Sequence, residues 1–141
     1  MEEIFYVYTD GGAKGNPGPG GIGFIVKDSK GKTIIKKGKF IGYTTNNKAE
    51  YIAVLEALKW LKENFSKREK FKVKFFLDSQ LVVNQLNGNF KIKNENLKLL
   101  QKKIKELEKN ISFSISYNFI NRKKNKAHFL VPSEPAPDSA L

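Results

Sequence analysis

The sequence contains no cysteine and a single histidine, and these two absences exclude whole classes of site. Without thiols the chain forms neither a disulfide framework nor a thiolate metal centre, and one imidazole excludes a His-rich zinc cluster. No window approaches the roughly 18 uninterrupted apolar residues of a membrane-spanning helix. The opening MEEIFYVYTD is acidic and then strand-like, which is unlike a signal peptide. We therefore expect a soluble cytoplasmic protein with no membrane partner.

Acidic residues are also scarce relative to basic ones. The 141 residues include 14 Asp and Glu against 26 Lys and Arg, a formal net charge of +12. This length suits one domain with a real core. Such an excess of positive charge favours a polyanionic partner. A lysine-rich solubilising surface of the heat-adapted kind remains the alternative.

The first half of the chain has the pattern of three strands and a helix. Residues Ile4 to Thr9, Gly21 to Lys27 and Thr33 to Ile41 are rich in β-branched and aromatic residues and are separated by turn sequences. From Asn47 to about Asn64 the apolar residues recur at helical spacing. This order predicts an antiparallel meander followed by a helix that covers one face of a sheet.

The second half alternates strands and helices. FKVKFFLD predicts a strand that ends at Asp78, SQLVVNQLNG a short helix, and ISFSISYNFI a half-buried strand after a further amphipathic helix. We predict a helical stub over 125–131 that Pro132 stops. The fold class is therefore α/β, a mixed five-stranded sheet of three antiparallel strands and then parallel ones, flanked by helices. We expect one domain over 1–131 and a disordered, proline-rich tail over 132–141.

Three acids are predicted to converge at one edge of this sheet. Asp10 and Asp78 end two strands, and Glu50 lies in the first turn of the long helix. Ligands of open α/β sheets bind at such strand ends, and clustered carboxylates indicate Mg²⁺ or Mn²⁺. Each acid also has a structural explanation: a turn residue, a capping box from Asn47 to Glu50, or a cap at Asp78 and Ser79. Taken together, the three favour a metal site.

Three blocks carry a resemblance to a known family. YTDGGAKGNPGPGGIGFIV, TTNNKAE and LDSQLVV resemble, in this order and spacing, the type 1 ribonuclease H family, which cuts the RNA strand of RNA/DNA hybrids. The resemblance covers Phe5 to Val131 and implies a ribonuclease H-like fold. It implies that Asp10 bridges two metal ions while Glu50 and Asp78 hold one each. Hydrolysis would then leave 5′-phosphate and 3′-hydroxyl ends.

The same resemblance implies which residues contact a hybrid. The glycine-rich run would let the backbone approach the RNA minor groove, amides would bond the hybrid near the cut, and others would hold the DNA strand. Turn and capping roles are the alternative for these residues. The implied substrate contacts are Gly11, Gly12, Ala13, Gly15, Asn16, Thr45, Asn46, Asn47 and Gln80.

The last motif departs from the family pattern. The family usually carries R-x-x-N-x-x-A-D, whereas RKKNKAHFLV lacks one residue and has His128 after Ala127. We predict that His128 replaces the fourth acid as a catalytic metal ligand, which would favour Mn²⁺. A surface position for His128 is the alternative, and Glu134 or Asp138 folding back is a weaker one.

A basic protrusion found in some members is also absent or vestigial. Only NGNFKIKNEN occupies its place, so Lys91 and Lys93, with Lys123, Lys124 and Lys126, become the candidate phosphate contacts. We therefore predict a monomeric ribonuclease H acting on RNA/DNA hybrids. A non-catalytic module binding hybrid or double-stranded RNA is the main alternative, and a ribonuclease H module of a reverse transcriptase remains open.

Overall fold

The computed structural model describes residues 3–65 and 71–136. Its sheet has the strand order β3-β2-β1-β4-β5, antiparallel between β1, β2 and β3 and parallel between β1, β4 and β5. The predicted α/β class and mixed five-stranded sheet are confirmed. The elements are β1 (Glu3–Ala13), β2 (Gly18–Lys27), β3 (Thr33–Thr44), α1 (Asn46–Phe65), β4 (Phe71–Leu77), α2 (Gln80–Leu86), α3 (Glu95–Lys109), β5 (Ser114–Phe119) and two 3-10 turns, Arg122–Lys124 and His128–Leu130.

Strand β1 continues further than its sequence indicates. The sequence pattern predicts an end at Thr9, but the pairing with β2 runs on to Ala13, opposite Gly20. The glycines after Asp10 are therefore strand residues, because close pairing with another glycine-rich strand compensates their low strand propensity. The turn falls later, where Gly15 adopts a φ of 80°.

The predicted helical stub over 125–131 is only partly present: within this range the structure has one 3-10 turn, His128–Leu130, and no α-helix. Two 3-10 turns flank Asn125, and the amides of His128 and Leu130 donate to carbonyls three residues back, on Asn125 and Ala127. The bonds are too few to continue as an α-helix. Residues 132–136 are described as irregular chain, and the remainder of the predicted tail lies outside the described residues, so the predicted boundary at residue 131 stays a prediction.

One face of the sheet is covered by helices and holds the hydrophobic core. Alternate residues of β1, such as Phe5 and Val7, point into this core, where they meet the apolar stripe of α1. Phe5 contacts the rings of Phe65 and Phe71. None of the helices in the described part of the chain is long and apolar enough to span a membrane.

The opposite face carries glycines where the C-terminal segment, residues 125–132, crosses it. A Cβ atom on Gly38 would lie 2.1 Å from the carbonyl oxygen of Leu130, and one on Gly21 would lie 2.2 Å from that of Pro132. A Cβ atom on Gly23 would lie 2.8 Å from Cβ of Leu130. These contacts are too close for any side chain, so glycines in β2 and β3 are what allow the C-terminal segment to lie against the sheet.

Candidate active site

Three carboxylates meet at one end of the sheet. Asp10 lies just beyond the last pair of the β1–β4 ladder, Tyr8 with Phe76, and Asp78 directly follows β4. Glu50 lies in the second turn of α1. One oxygen of each acid lies within 4.8 Å of an oxygen of the other two. The predicted convergence of the three acids is therefore present.

The position of Glu50 depends on a close contact between α1 and β1. A Cβ atom on Gly11 would lie 2.4 Å from the carbonyl carbon of Ala49, so only glycine permits this approach. The helix start is capped by Thr45, whose Oγ1 accepts a hydrogen bond from the Lys48 amide at 3.2 Å. Since Thr45 caps the helix, Glu50 is not needed for capping, and its carboxylate faces the other acids.

Burial and mutual repulsion disfavour the ionised forms of two of these acids. Burial raises the pKa of Glu50 well above its usual range, and the charges of Asp10 and Asp78 raise it further. Burial also raises the pKa of Asp78, and the nearby Asp10 adds to this effect. The hydrogen bond from Asn125 and the charge of Arg122 oppose the shift at Asp78. The site therefore lacks enough positive charge from the protein to balance its acids.

Asn125 ties the C-terminal segment to this site. Its Nδ2 donates to the Thr9 carbonyl at 2.9 Å and to Oδ2 of Asp78 at 3.0 Å, and its Oδ1 accepts from the Ala127 amide at 3.1 Å. The side chain is buried. In the sequence, Asn125 is identifiable only as the asparagine of the late motif. Its structural role depends on the three hydrogen bonds to Thr9, Asp78 and Ala127, which sequence spacing does not reveal.

His128 contacts Asp10 but does not join the acid cluster. Its Nδ1 lies 3.1 Å from Oδ2 of Asp10, and 42% of its side chain is exposed. The group of ligand atoms within 4.8 Å of one another comprises Asp10, Glu50 and Asp78 alone among the described residues. The structure thus places His128 beside Asp10, and its predicted role as a ligand stays a prediction.

The acids suit a divalent cation. Oε2 of Glu50 is buried and has no hydrogen-bond partner within the described part of the chain. A buried carboxylate oxygen left without a donor is costly unless a cation neutralises it. The donors are all carboxylate oxygens, which hard cations such as Mg²⁺ and Mn²⁺ prefer.

Nine of the predicted site residues border an open cavity of about 580 Å³ around the acids. The predicted residues among them are Asp10, Gly11, Gly12, Ala13, Asn46, Asn47, Glu50, Asp78 and His128. Sequence analysis did not assign the remaining ones to the site. These are Lys14, Ser79, Arg122, Val131, Pro132 and Ser133, which the glycine turn, the α2 cap and the C-terminal segment bring in.

A second open cavity, of about 500 Å³, adjoins the start of α1. Asn16, Thr45 and Asn47, all predicted substrate contacts, line it together with Tyr43, Lys48 and the start of α3. Asn16 also accepts a hydrogen bond from the Asn46 amide at 3.0 Å, while Oδ1 of Asn46 accepts from the Ala13 amide at 2.8 Å. These two asparagines therefore order the loop, which is the turn role that was the alternative to substrate contact.

Seven predicted substrate contacts lie outside both cavities, and three of them, Lys123, Lys124 and Lys126, are exposed residues near the C-terminal segment. The other four are Gly15, Gln80, Lys91 and Lys93. Gly15 lies at the tip of the turn, Gln80 begins α2, and Lys91 and Lys93 lie in the irregular segment before α3. All four are exposed. Their predicted contacts with a hybrid remain predictions.

Known proteins are similar to this chain in sequence and in fold. The RNase H family model matches residues 2–134. The chain is 35% identical to ribonuclease HI of Haemophilus ducreyi, over 86% of this chain and 77% of that protein. It is also 32% identical to a bifunctional protein of Mycobacterium tuberculosis, covering 84% of this chain, and spans only 32% of the length of that relative.

A solved structure adds a likeness in three dimensions. The crystal structure of LC11-RNase H1 in complex with RNA/DNA hybrid has a TM-score of 0.86 and 40% sequence identity, covering 90% of this chain and 93% of that one. The family match spans nearly the whole chain, the acids occupy one edge of the sheet, and the fold is that of solved RNase H1 structures. On this evidence, the chain belongs to the RNase H family.

Proposed function

We propose that this protein is a metal-dependent endonuclease that hydrolyses the RNA strand of RNA/DNA hybrids and leaves 5′-phosphate and 3′-hydroxyl ends. The observation that carries the proposal is the cluster of Asp10, Glu50 and Asp78, whose oxygens lie within 4.8 Å of one another in an RNase H fold. A module that only binds nucleic acid gains nothing from three carboxylates that repel phosphate.

Asp10, Glu50 and Asp78 would together hold a pair of divalent ions. When bound, such ions activate the attacking water and stabilise the leaving 3′-oxygen. The carboxylates of Asp10 and Glu50 are largely buried at the cavity wall, and Asn125 orients Asp78 through a 3.0 Å hydrogen bond. The chain thus supplies a preorganised anionic site that needs little rearrangement.

The remaining site residues would position the hybrid. Backbone from Gly11 to Ala13 borders the acid cavity without bulky side chains, which allows close approach of an RNA strand. Lys14 and Arg122 line the same cavity and supply positive charge for a phosphate. Thr45 and Asn47 border the second cavity, which suits the DNA strand. The similar LC11-RNase H1 was crystallised in complex with RNA/DNA hybrid, which supports the same substrate for this chain.

Cleavage of a labelled RNA/DNA hybrid in Mg²⁺ and in Mn²⁺ tests the proposal. We expect Asp10→Asn to reduce the rate by about 10³-fold or more, since bound metal contributes several kcal/mol to the transition state. Asp28→Asn is the matched control, because Asp28 lies in the β2–β3 turn, where its Oδ1 accepts from the Lys30 and Lys32 amides.

Two outcomes would count against the proposal. Cleavage that survives Asp10→Asn would show that the acid cluster is not responsible. Tight hybrid binding with no cleavage in either metal would instead support a non-catalytic binding module. The cytoplasmic location and the monomeric state stay predictions.

A further inference from the structure

A third open groove lies on the outer face of the sheet, the face opposite the helices. Its volume is about 530 Å³, and none of the three clustered acids lines it. Phe129 borders it with 91% of its surface exposed, the largest exposure of any large apolar side chain in the described residues. The lining residues are Tyr8, Ile120, Lys123, Lys124, Asn125, Lys126 and Phe129.

The charge of this groove fits an anion. Three lysines line it and, within the described part of the chain, no acid does. Nζ of Lys126 lies 5.8 Å from the centroid of the Tyr8 ring. Lys27, on the neighbouring strand β2, has a pKa lowered by burial and by its proximity to Lys126. An anion bound beside these ammonium groups would offset their mutual repulsion.

The rings of the groove fit planar ligands. Tyr8 stacks on Phe76 of the next strand, with centroids 5.3 Å apart and planes 25° apart, and Phe76 also contacts Tyr6. These contacts hold the Tyr8 ring in place. Phe129 contacts His128 edge to face at 5.5 Å, which leaves most of its own ring open to solvent. Exposed rings interleaved with lysines are typical of surfaces that stack bases and bind phosphates.

We propose that this groove binds a segment of single-stranded nucleic acid, the unpaired nucleotides next to a hybrid. Stacking on Phe129 requires bases that are not already stacked within a duplex. An acidic peptide would satisfy the lysines but would leave the rings without planar partners.

The groove adjoins the acid cluster. Asn125 lines the groove and bonds Asp78, while Tyr8 and Asp10 lie two residues apart on the same face of β1. A strand that leaves the active site therefore reaches the groove without crossing the molecule. Binding here does not require that the acids cleave, so the two proposals stand or fall separately.

Fluorescence anisotropy with labelled oligouridylate and oligothymidylate, without divalent metal, tests the proposal. We expect Phe129→Ala to weaken binding roughly 5- to 150-fold, the range for loss of one stacked base. We expect Lys126→Gln to reduce the salt dependence of log K by about 0.7, the value for one phosphate contact on a single strand. The RNA and DNA oligomers show whether the groove distinguishes the two sugars.

Matched controls lie on α3, away from the groove. Leu99→Ala removes an apolar side chain that is 61% exposed, and Lys102→Gln removes an exposed charge. Equal losses from the α3 controls and the groove variants would overturn the proposal, as would a wild type that binds neither oligomer. Dimerisation that depends on Phe129 without oligomer binding would also overturn it and would identify a second copy of the chain as the occupant.

The outcome is separable from that of the cleavage test. A protein that binds the oligomers but does not cleave retains this groove and loses the proposed nuclease. A protein that cleaves blunt hybrids, and for which a single-stranded overhang adds no affinity, retains the nuclease and loses the groove.

Discussion

The two faces of the five-stranded sheet are built from different side chains. The helix-covered face is closely packed with buried apolar residues, among them Val7, Phe24 and Phe75. The outer face has glycines beneath the C-terminal segment, followed by tyrosine, phenylalanine and lysine side chains. Strand β1 serves both faces, because its odd-numbered residues point inward while Tyr8 and Asp10 point outward.

The helix-covered face therefore contributes mainly to stability, and the outer face mainly to the active site. Apolar burial on the helix-covered face supplies most of the folding free energy. On the outer face, Gly23 and Gly38 have no side chains, which allows the C-terminal segment to lie close against the sheet. This segment carries Asn125 and His128, which contact the acids Asp78 and Asp10. Substitutions on the first face are therefore expected to change stability, and those on the second to change activity.

The largest expected effect is on stability, from Phe75→Ala in β4. Phe75 is fully buried and contacts the ring of Tyr117. We expect this cavity to lower the free energy of unfolding by about 3–5 kcal/mol, measured by urea denaturation. Rates corrected for the folded fraction should stay near those of the wild type.

Its neighbour in sequence is the control. Phe76 points to the outer face and is half-buried, so Phe76→Ala should destabilise by less than half as much. Equal losses from the two substitutions would show that the two faces contribute alike to stability.

A smaller effect, on activity, is expected from Gly38→Ala in β3. The new Cβ would lie 2.1 Å from the Leu130 carbonyl oxygen, so the C-terminal segment must move and take Asn125 and His128 with it. Displacing groups that orient metal-binding residues typically lowers activity 10- to 100-fold, and because two such groups move, we expect the upper end of that range. Steady-state cleavage of the hybrid measures it.

Ser114→Ala is the matched control for Gly38→Ala. It also places alanine on an exposed edge strand, β5, but away from the C-terminal segment. Unchanged activity in Gly38→Ala would show that the position of the C-terminal segment does not require glycine at residue 38.

The separation of faces also explains what the sequence predicts well. Period-two and helical patterns identify the core elements, because burial of alternate residues imposes those periods directly. The convergence of Asp10, Glu50 and Asp78 is predictable, since strand ends and a helix start meet wherever the sheet order is right. The glycines after Asp10 resemble a turn in sequence, although Gly11 and Gly12 pair with Ile22 and Gly21 of β2.

The C-terminal segment is the least predictable part. Its conformation depends on glycines in β2 and β3, about a hundred residues earlier, and on the bond from Asn125 to the Thr9 carbonyl. No local periodicity encodes such contacts, so the sequence predicts a helical stub over 125–131 where only the 3-10 turn His128–Leu130 occurs. Lys14 and Ser133 likewise escape prediction, because only folding brings them to the cavity.

Replacing Glu50 tests how far burial and repulsion among the three acids lower the free energy of unfolding. Its pKa is raised on folding, so its contribution to stability is present below its ordinary pKa of 4.5 and is lost as pH rises through the raised value. Without divalent metal, Glu50→Gln should therefore stabilise the protein at pH 8, by about 1–3 kcal/mol, and have little effect at pH 4. Urea denaturation at both pH values measures the difference.

Glu95→Gln controls for the loss of a negative charge in this basic chain. Glu95 is exposed on α3, where it forms a surface ion pair with Lys98. If Glu50→Gln gave the same gain at both pH values, titration of Glu50 would not be its cause.

The smallest expected effect comes from His128, whose Nδ1 lies 3.1 Å from Oδ2 of Asp10. If the imidazole serves as a ligand, His128→Ala should lower cleavage about tenfold, the lower end of the range for such groups, and more in Mn²⁺ than in Mg²⁺. His128→Asp should then restore activity in Mg²⁺, because a carboxylate prefers the harder ion.

If the histidine only orients Asp10, the loss of activity in His128→Ala should be equal in the two metals. His128→Asp should then lower activity further, because an additional carboxylate would repel Asp10.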